Sequence, residues 1–198
     1  MTLAENLRDL AVLTVRNPAM ALRRLQALNL PMETRWMGLF LTVALSSILS
    51  WAASRLFPVE VDTLIARMTA QPLRLAAIQL VGMAGSAFLM ARVGQLFGGR
   101  GSFADALLIV AWVELLLTGV QAVQVVLMLL FPAIATLLGV AAMIGFIYLA
   151  VQFTRALHGF RSVFLTMLCM FATLMLVGMA LSMLAASFGL LPMPQGAV

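Results

Sequence analysis

The sequence predicts an all-α polytopic membrane protein, a five-transmembrane-helix bundle preceded by short amphipathic helices. Three observations carry that reading. Of the 198 residues, 64% are hydrophobic and 10% charged, against about 45–50% apolar and 25% charged in soluble domains; a water-soluble chain of this length has too little interior to hide so much apolar surface. The apolar residues come in unbroken runs rather than alternating ones, which favours helices over a closed barrel as the backbone that satisfies itself in lipid. The runs are also long enough, since a helix crosses the hydrocarbon in about 20 residues.

Residues 1–35 read as a cytosolic or interfacial amphipathic segment. Arginines and acidic residues are spread through it, and no apolar core precedes a small-residue cleavage site, so it does not read as a signal peptide. Thr2 and Glu5 fit a capping box, and Leu3, Leu7 and Leu10 then share a helical face. Asn17-Pro18 ends that helix and starts another, with Asn17 as N-cap and Pro18 at the first helical position. Leu22, Leu25 and Leu28 make the second helix's apolar edge, beside Arg23 and Arg24. Two such helices fit either the membrane surface or the protein's own cytoplasmic face.

The transmembrane domain occupies 36–188, with spans at about 36–57, 73–97, 104–131, 133–156 and 163–188; a short uncharged tail, 189–198, follows. In the first span Thr42, Ser46, Ser50 and Ser54 recur every fourth residue, which permits close helix approach and hydrogen bonding across the contact. Trp36 and Trp51 are its interface aromatics. The polar stretch 58–72 leaves the membrane. The second span offers small residues for helix packing at Gly82 and Gly85, and a GxxxG at Gly94 and Gly98. The third and fourth spans form a hairpin about Pro132.

Arginine placement sets the orientation. All basic residues are Arg, and the net charge is +5. With the N-terminus inside, the inner segments hold Arg8, Arg16, Arg23, Arg24, Arg35, Arg92, Arg100, Arg155 and Arg161, and the outer side only Arg55, Arg67 and Arg74. The positive-inside rule places the N-terminus in the cytoplasm and the C-terminus opposite. Charge gathered in a few loops of a lipid-embedded chain points to anionic headgroups on the inner face, through Arg16, Arg23, Arg24, Arg92, Arg100 and Arg161, and not to nucleic acid.

Glu114 is the residue to explain inside the membrane, where a carboxylate costs about 2.5–3.5 kcal/mol on insertion scales and is normally buried against a partner. Thr118 and Gln121 fall on its side of the helix, with Gln124 at the edge. Counting equally outward from Pro132 puts Gln152 at its depth, with Tyr148 and Arg155 one turn away on either side. The expectation is that Glu114 meets Gln152, Tyr148 or Arg155 in the bundle interior, as a structural clamp in preference to a solute or proton pathway. No cofactor or metal site is indicated, since the single His158 and single Cys169 have no ligand companions, and His158 has no acid to orient it for catalysis. Gly98-Gly99-Arg100-Gly101-Ser102 lacks the ending of a P-loop and follows no strand, so it reads as an interfacial turn.

The layout resembles the Yip family, five-span Ypt/Rab-interacting membrane proteins with a Yip-one domain. The resemblance lies in the Asn17-Pro18 helix start, in Gly98-Gly99-Arg100-Gly101-Ser102-Phe103 ahead of span three, and in Phe153-Thr154-Arg155-Ala156-Leu157-His158-Gly159-Phe160 closing span four. It implies an integral membrane protein without catalysis; eukaryotic relatives bind Rab-type GTPases. The string Asp-Leu-x-Gly-Pro of those relatives is absent, so the likeness is to the bacterial branch; the Ala/Leu-rich, all-Arg composition suits a GC-rich bacterial genome, and the expected location is the bacterial inner membrane. The expected function is a non-enzymatic adaptor or organiser engaging a protein partner, a second copy or anionic lipid. A small transporter or channel around Glu114, and an accessory subunit of a larger complex, are the alternatives.

Overall fold

The computed structural model of the chain describes residues 3–57 and 71–187. Seven helices are described: α1 Leu3–Arg16, α2 Pro18–Ala27, α3 Met32–Leu56, α4 Pro72–Leu96, α5 Phe103–Leu130, α6 Pro132–His158 and α7 Val163–Ser187. Of these, α3 to α6 are each long and apolar enough to cross a bilayer, so four of the five expected spans have a matching helix among the described residues. The chain is thus an all-helical, multi-pass membrane protein. Thr2 of the expected capping box, Arg67 with most of the loop after the first span, and the tail 189–198 lie outside the described residues.

Local chemistry starts and stops these helices. Asn17 Oδ1 accepts the backbone N–H of Met20 at 3.1 Å, with Pro18 directly behind it, so the first amides of α2 gain a partner where proline needs none. Ser102 Oγ does the same for the N–H of Asp105 at the start of α5. Pro132 opens α6 one residue after α5 ends, which makes the α5–α6 connection a tight hairpin. At the other end of α6, Gly159 adopts φ +71, the left-handed conformation that closes a helix cheaply without a Cβ.

Helix α5 is the hub. It packs on α2, α3, α4 and α6, while α7 lies against α4 and α6. Small side chains allow this: Ala106 and Ala87 are fully buried, with Ala91 and Ala111 nearly so. In lipid, close packing and hydrogen bonds between helices hold a bundle together, because the tails around it are as apolar as leucine. That accounts for the many exposed large apolar side chains of α6, Leu137, Val140, Ile144 and Ile147 among them, which face outward where lipid belongs.

The N-terminal helices rest on the bundle. Thr14 and Ala21 are fully buried, and Leu10, Pro18, Leu22 and Leu25 are buried with them. Between the two sequence readings for this segment, its inward face therefore goes to protein.

Candidate functional site

The polar side chains within the membrane gather where α3, α4 and α5 meet. Gln79, two turns into α4, is the centre. Its Nε2 donates to Glu114 Oε1 at 2.7 Å and to Ser46 Oγ at 2.8 Å, and its Oε1 accepts from Ser47 Oγ at 2.9 Å. Both amide protons and the carbonyl are used, and Ser46 Oγ also donates back to Val43 O at 3.2 Å. Ser46, Ser47 and Glu114 are buried. One α-turn along α3, Ser50 accepts from Gln121 Nε2 at 2.9 Å. The four-residue spacing of Thr42, Ser46 and Ser50 thus lines the α3 side of a polar seam running along α5.

The partners of Glu114 differ from those expected. It meets Gln79 of α4, and not Gln152, Tyr148 or Arg155 of α6. Gln152 is half-buried and Tyr148 exposed on the outward side. Arg155 folds onto its own helix end, donating to the carbonyls of Phe160 at 3.1 Å and Arg161 at 3.2 Å. The reason is rotational. Glu114 and Gln121 point to α3 and α4, whereas α6 lies on the side of Gln124, whose amide reaches Ala135 O at 3.2 Å across the hairpin. Thr118 satisfies itself on Glu114 O at 2.8 Å. Depth counting fixes height along a helix but leaves azimuth free.

Gln79 was missed by sequence reasoning although the signal was there. A lone amide in an otherwise apolar run is a polar group lipid does not solvate, so it must find a partner. Counting equally outward from Arg100, however, puts Ser86 and not Gln79 opposite Glu114, so no depth rule pairs them.

A second polar site lies at the arginine-rich end, around His158. The imidazole is 4% exposed. Nδ1 accepts the Gly101 N–H at 3.1 Å, and Nε2 lies 2.9 Å from Met90 O, which can only accept. The ring is therefore the neutral Nε2–H tautomer, stacked on Phe160 at 5.4 Å. A Cβ on Gly94, Gly99 or Gly101 would run into this ring. The glycine-rich turn is thus a cradle for a side chain, and Gly94 serves it too. This corrects the GxxxG reading: Gly94 receives an imidazole, and Gly98 lies beyond α4 with φ +83 and open space around it. A Cβ added at Gly82 or Gly85 would likewise meet nothing within 4 Å, so of these four glycines only Gly94 takes a side chain from another helix among the described residues.

A third cluster fixes the N-terminal hairpin. Arg35 Nη1 and Asp105 Oδ1 form an ion pair at 2.8 Å, and Gln26 Nε2 donates to Asp105 Oδ2 at 3.1 Å. Deeper, Trp112 Nε1 donates to Thr14 Oγ1 at 2.9 Å. Neither Trp112 nor Asp105 was singled out from sequence, because both contacts join residues far apart in the chain. Arg16, Arg23, Arg24, Arg92, Arg100 and Arg161 are all exposed; Arg92 sits 5.5 Å over the Phe88 ring.

Among the described residues no group of three or more His, Cys, Asp or Glu side chains could hold a metal ion, and every buried side-chain nitrogen or oxygen has a partner. Cys169 is buried and free. Compared with known proteins, the family model of the Yip1 domain matches residues 12–185, from α1 through nearly all of α7. No curated protein and no solved structure matches the chain.

Proposed function

We propose that this chain, which belongs to the Yip1 domain family, is a non-enzymatic organiser of the membrane it sits in. Its transmembrane bundle is the fixed part, and its arginine-rich end, carrying the α1–α2 hairpin, engages a protein partner, a second copy or anionic lipid. One observation carries this reading. The buried amide of Gln79 is fully spent inside the bundle, joining Glu114 Oε1, Ser46 and Ser47 across three helices. A transport site keeps groups free for its cargo; a clamp uses them up. Intramembrane ionisable residues are functional by default, and here the function that fits is holding α3, α4 and α5 in one arrangement.

The finer placement belongs to the same proposal. The nine-to-three distribution of arginines supports a cytoplasmic N-terminus. Taking α7, 25 residues long, as the fifth span sends the C-terminus to the opposite side. Composition supports a bacterial inner membrane.

The test is crosslinking in native membranes followed by affinity purification, with a flux assay in proteoliposomes beside it. An organiser yields a discrete complex and no solute or proton flux attributable to Glu114. Flux abolished by Glu114→Gln would overturn the reading in favour of transport.

A further inference from the structure

The α1–α2 hairpin has two faces, and the bundle uses one. On the other, Val12, Val15 and Met20 are exposed at 44%, 63% and 55%, and the exposed Arg16, Arg23 and Arg24 stand among them. No acidic residue occurs between Asp9 and Glu33, and none of these three arginines meets a carboxylate among the described residues. Apolar and cationic side chains share one uncovered surface.

Two hydrogen bonds fix the level of that surface along α5. Gln26 meets Asp105 near the start of α5, and Thr14 meets Trp112 further along it. The separation from 105 to 112 along a helix is about 10 Å. With 28 residues, α5 is about 42 Å long against a hydrocarbon core of about 30 Å. Centred on that core, α5 carries Asp105 in the headgroup layer and Trp112 roughly 8 Å below the hydrocarbon boundary. Thr14 is at the level of Trp112, so the corner between α1 and α2 is sunk there, and α2 climbs from it to the headgroups. Amphipathic helices rest in bilayers at about 5–10 Å below that boundary. A water-borne protein does not reach a face at this depth, whereas a phospholipid stands beside it.

We propose that the outer face of the α1–α2 hairpin is a binding site for anionic phospholipid. The lipid's acyl chains cover Val12, Val15 and Met20. Arg23 and Arg24 take its phosphate oxygens, and Arg16 snorkels upward to the same layer, its stem along apolar surface and its guanidinium at the headgroups. The inference deepens the organiser reading by committing its basic end to lipid, and it rests on that reading for its biological purpose.

The test uses the full chain in nanodiscs of equal phosphatidylglycerol and phosphatidylcholine, with retained lipids counted by native mass spectrometry. Wild type keeps phosphatidylglycerol in excess. A basic side chain near the surface is worth roughly fivefold in anionic-lipid preference, so Arg16→Gln, Arg23→Gln and Arg24→Gln together reduce the excess at least about tenfold. The triple Arg→Lys variant keeps most of it, and Arg55→Gln, at the other end of α3, keeps all of it. An unchanged excess in the triple Gln variant overturns the proposal, as does an equal loss in Arg55→Gln. Displacement of the lipid by soluble polyglutamate also overturns it, since the face would then suit an acidic polypeptide. A complex captured in native membranes without any lipid preference sinks this inference alone; lipid preference together with flux abolished by Glu114→Gln sinks the organiser reading alone.

Discussion

Gly101 donates its backbone N–H to His158 Nδ1 at 3.1 Å, across 57 positions of sequence, and that bond ties the α4–α5 turn to the end of α6. The ring fits because Gly94, Gly99 and Gly101 leave it room. Alanine at any of the three forces ring or backbone to move. Overpacking of this kind typically costs about 1–3 kcal/mol, so each variant should lower the thermal midpoint in detergent. Gly82→Ala and Gly85→Ala, at open positions, should leave it unchanged or raise it slightly, because alanine is the better helix former. Combining His158→Ala with Gly101→Ala should recover part of the loss; strict additivity would show that the two residues do not touch.

The Gln79 clamp yields an ordering of variants. Gln79→Leu strips Glu114, Ser46 and Ser47 of their shared partner at once and leaves the buried carboxylate without its amide donor. Single interhelical hydrogen bonds are worth about 0.6–2 kcal/mol in membranes, and an orphaned charged group adds to that, so a loss of at least about 2 kcal/mol is expected. Glu114→Gln keeps an acceptor opposite Gln79 Nε2 and should cost under about 1 kcal/mol. Unfolding in mixed micelles measures both. Equal losses would show that the charge of Glu114 matters beyond its hydrogen bond.

Trp112 and Thr14 test whether the N-terminal hairpin is held from within the bundle. Thr14 is fully buried and accepts the indole N–H. Thr14→Val preserves shape but leaves that N–H buried and unpaired, which costs about 1–3 kcal/mol. The hairpin should then detach more readily, seen as faster proteolysis near Asn17. Trp112→Phe, which removes the donor as well, should be milder on the polar side and lose only packing.

What the sequence disclosed and what it hid divide by range. Asn17-Pro18 acts on backbone groups within a few residues, so the start of α2 was readable from adjacent letters, and Ser102 and Gly159 act over the same short range at the start of α5 and the end of α6. The unbroken apolar runs gave the membrane setting for the same reason. The Glu114–Gln79 pair was hidden because a helix read alone gives height without azimuth, and the hairpin about Pro132 offered a nearer partner at the right height. His158 was hidden differently: three glycines look like a flexible turn until the side chain that fills them is known, and it comes from another helix. Thr14 and Trp112 each looked ordinary, one mid-helix threonine and one tryptophan, and only their meeting gives them a role.

Asp105 is where the hairpin, the α2–α3 link and α5 converge, and it provides the last test. It accepts from Gln26 Nε2 and Arg35 Nη1 on separate oxygens, while Arg35 Nε also donates to Leu30 O at 2.9 Å. The pair is largely shielded, with side-chain exposures of 11% for Arg35 and 24% for Asp105, so it escapes most of the screening that makes surface pairs nearly worthless. Asp105→Ala releases both partners and removes a negative charge from the first turn of α5, where it complements the helix dipole. Asp105→Asn retains one acceptor for Gln26 or Arg35 and loses the charge. Arg35→Gln leaves the carboxylate with Gln26 alone. The expected order of destabilisation is Asp105→Ala first, at about 2 kcal/mol, then Arg35→Gln, then Asp105→Asn. Raising salt to about 1 M, where the Debye length is near 3 Å, should weaken wild type only slightly; a salt effect as large as the Asp105→Ala loss would mean that the pair is open to solvent and the hairpin is held by Thr14 and its apolar neighbours alone.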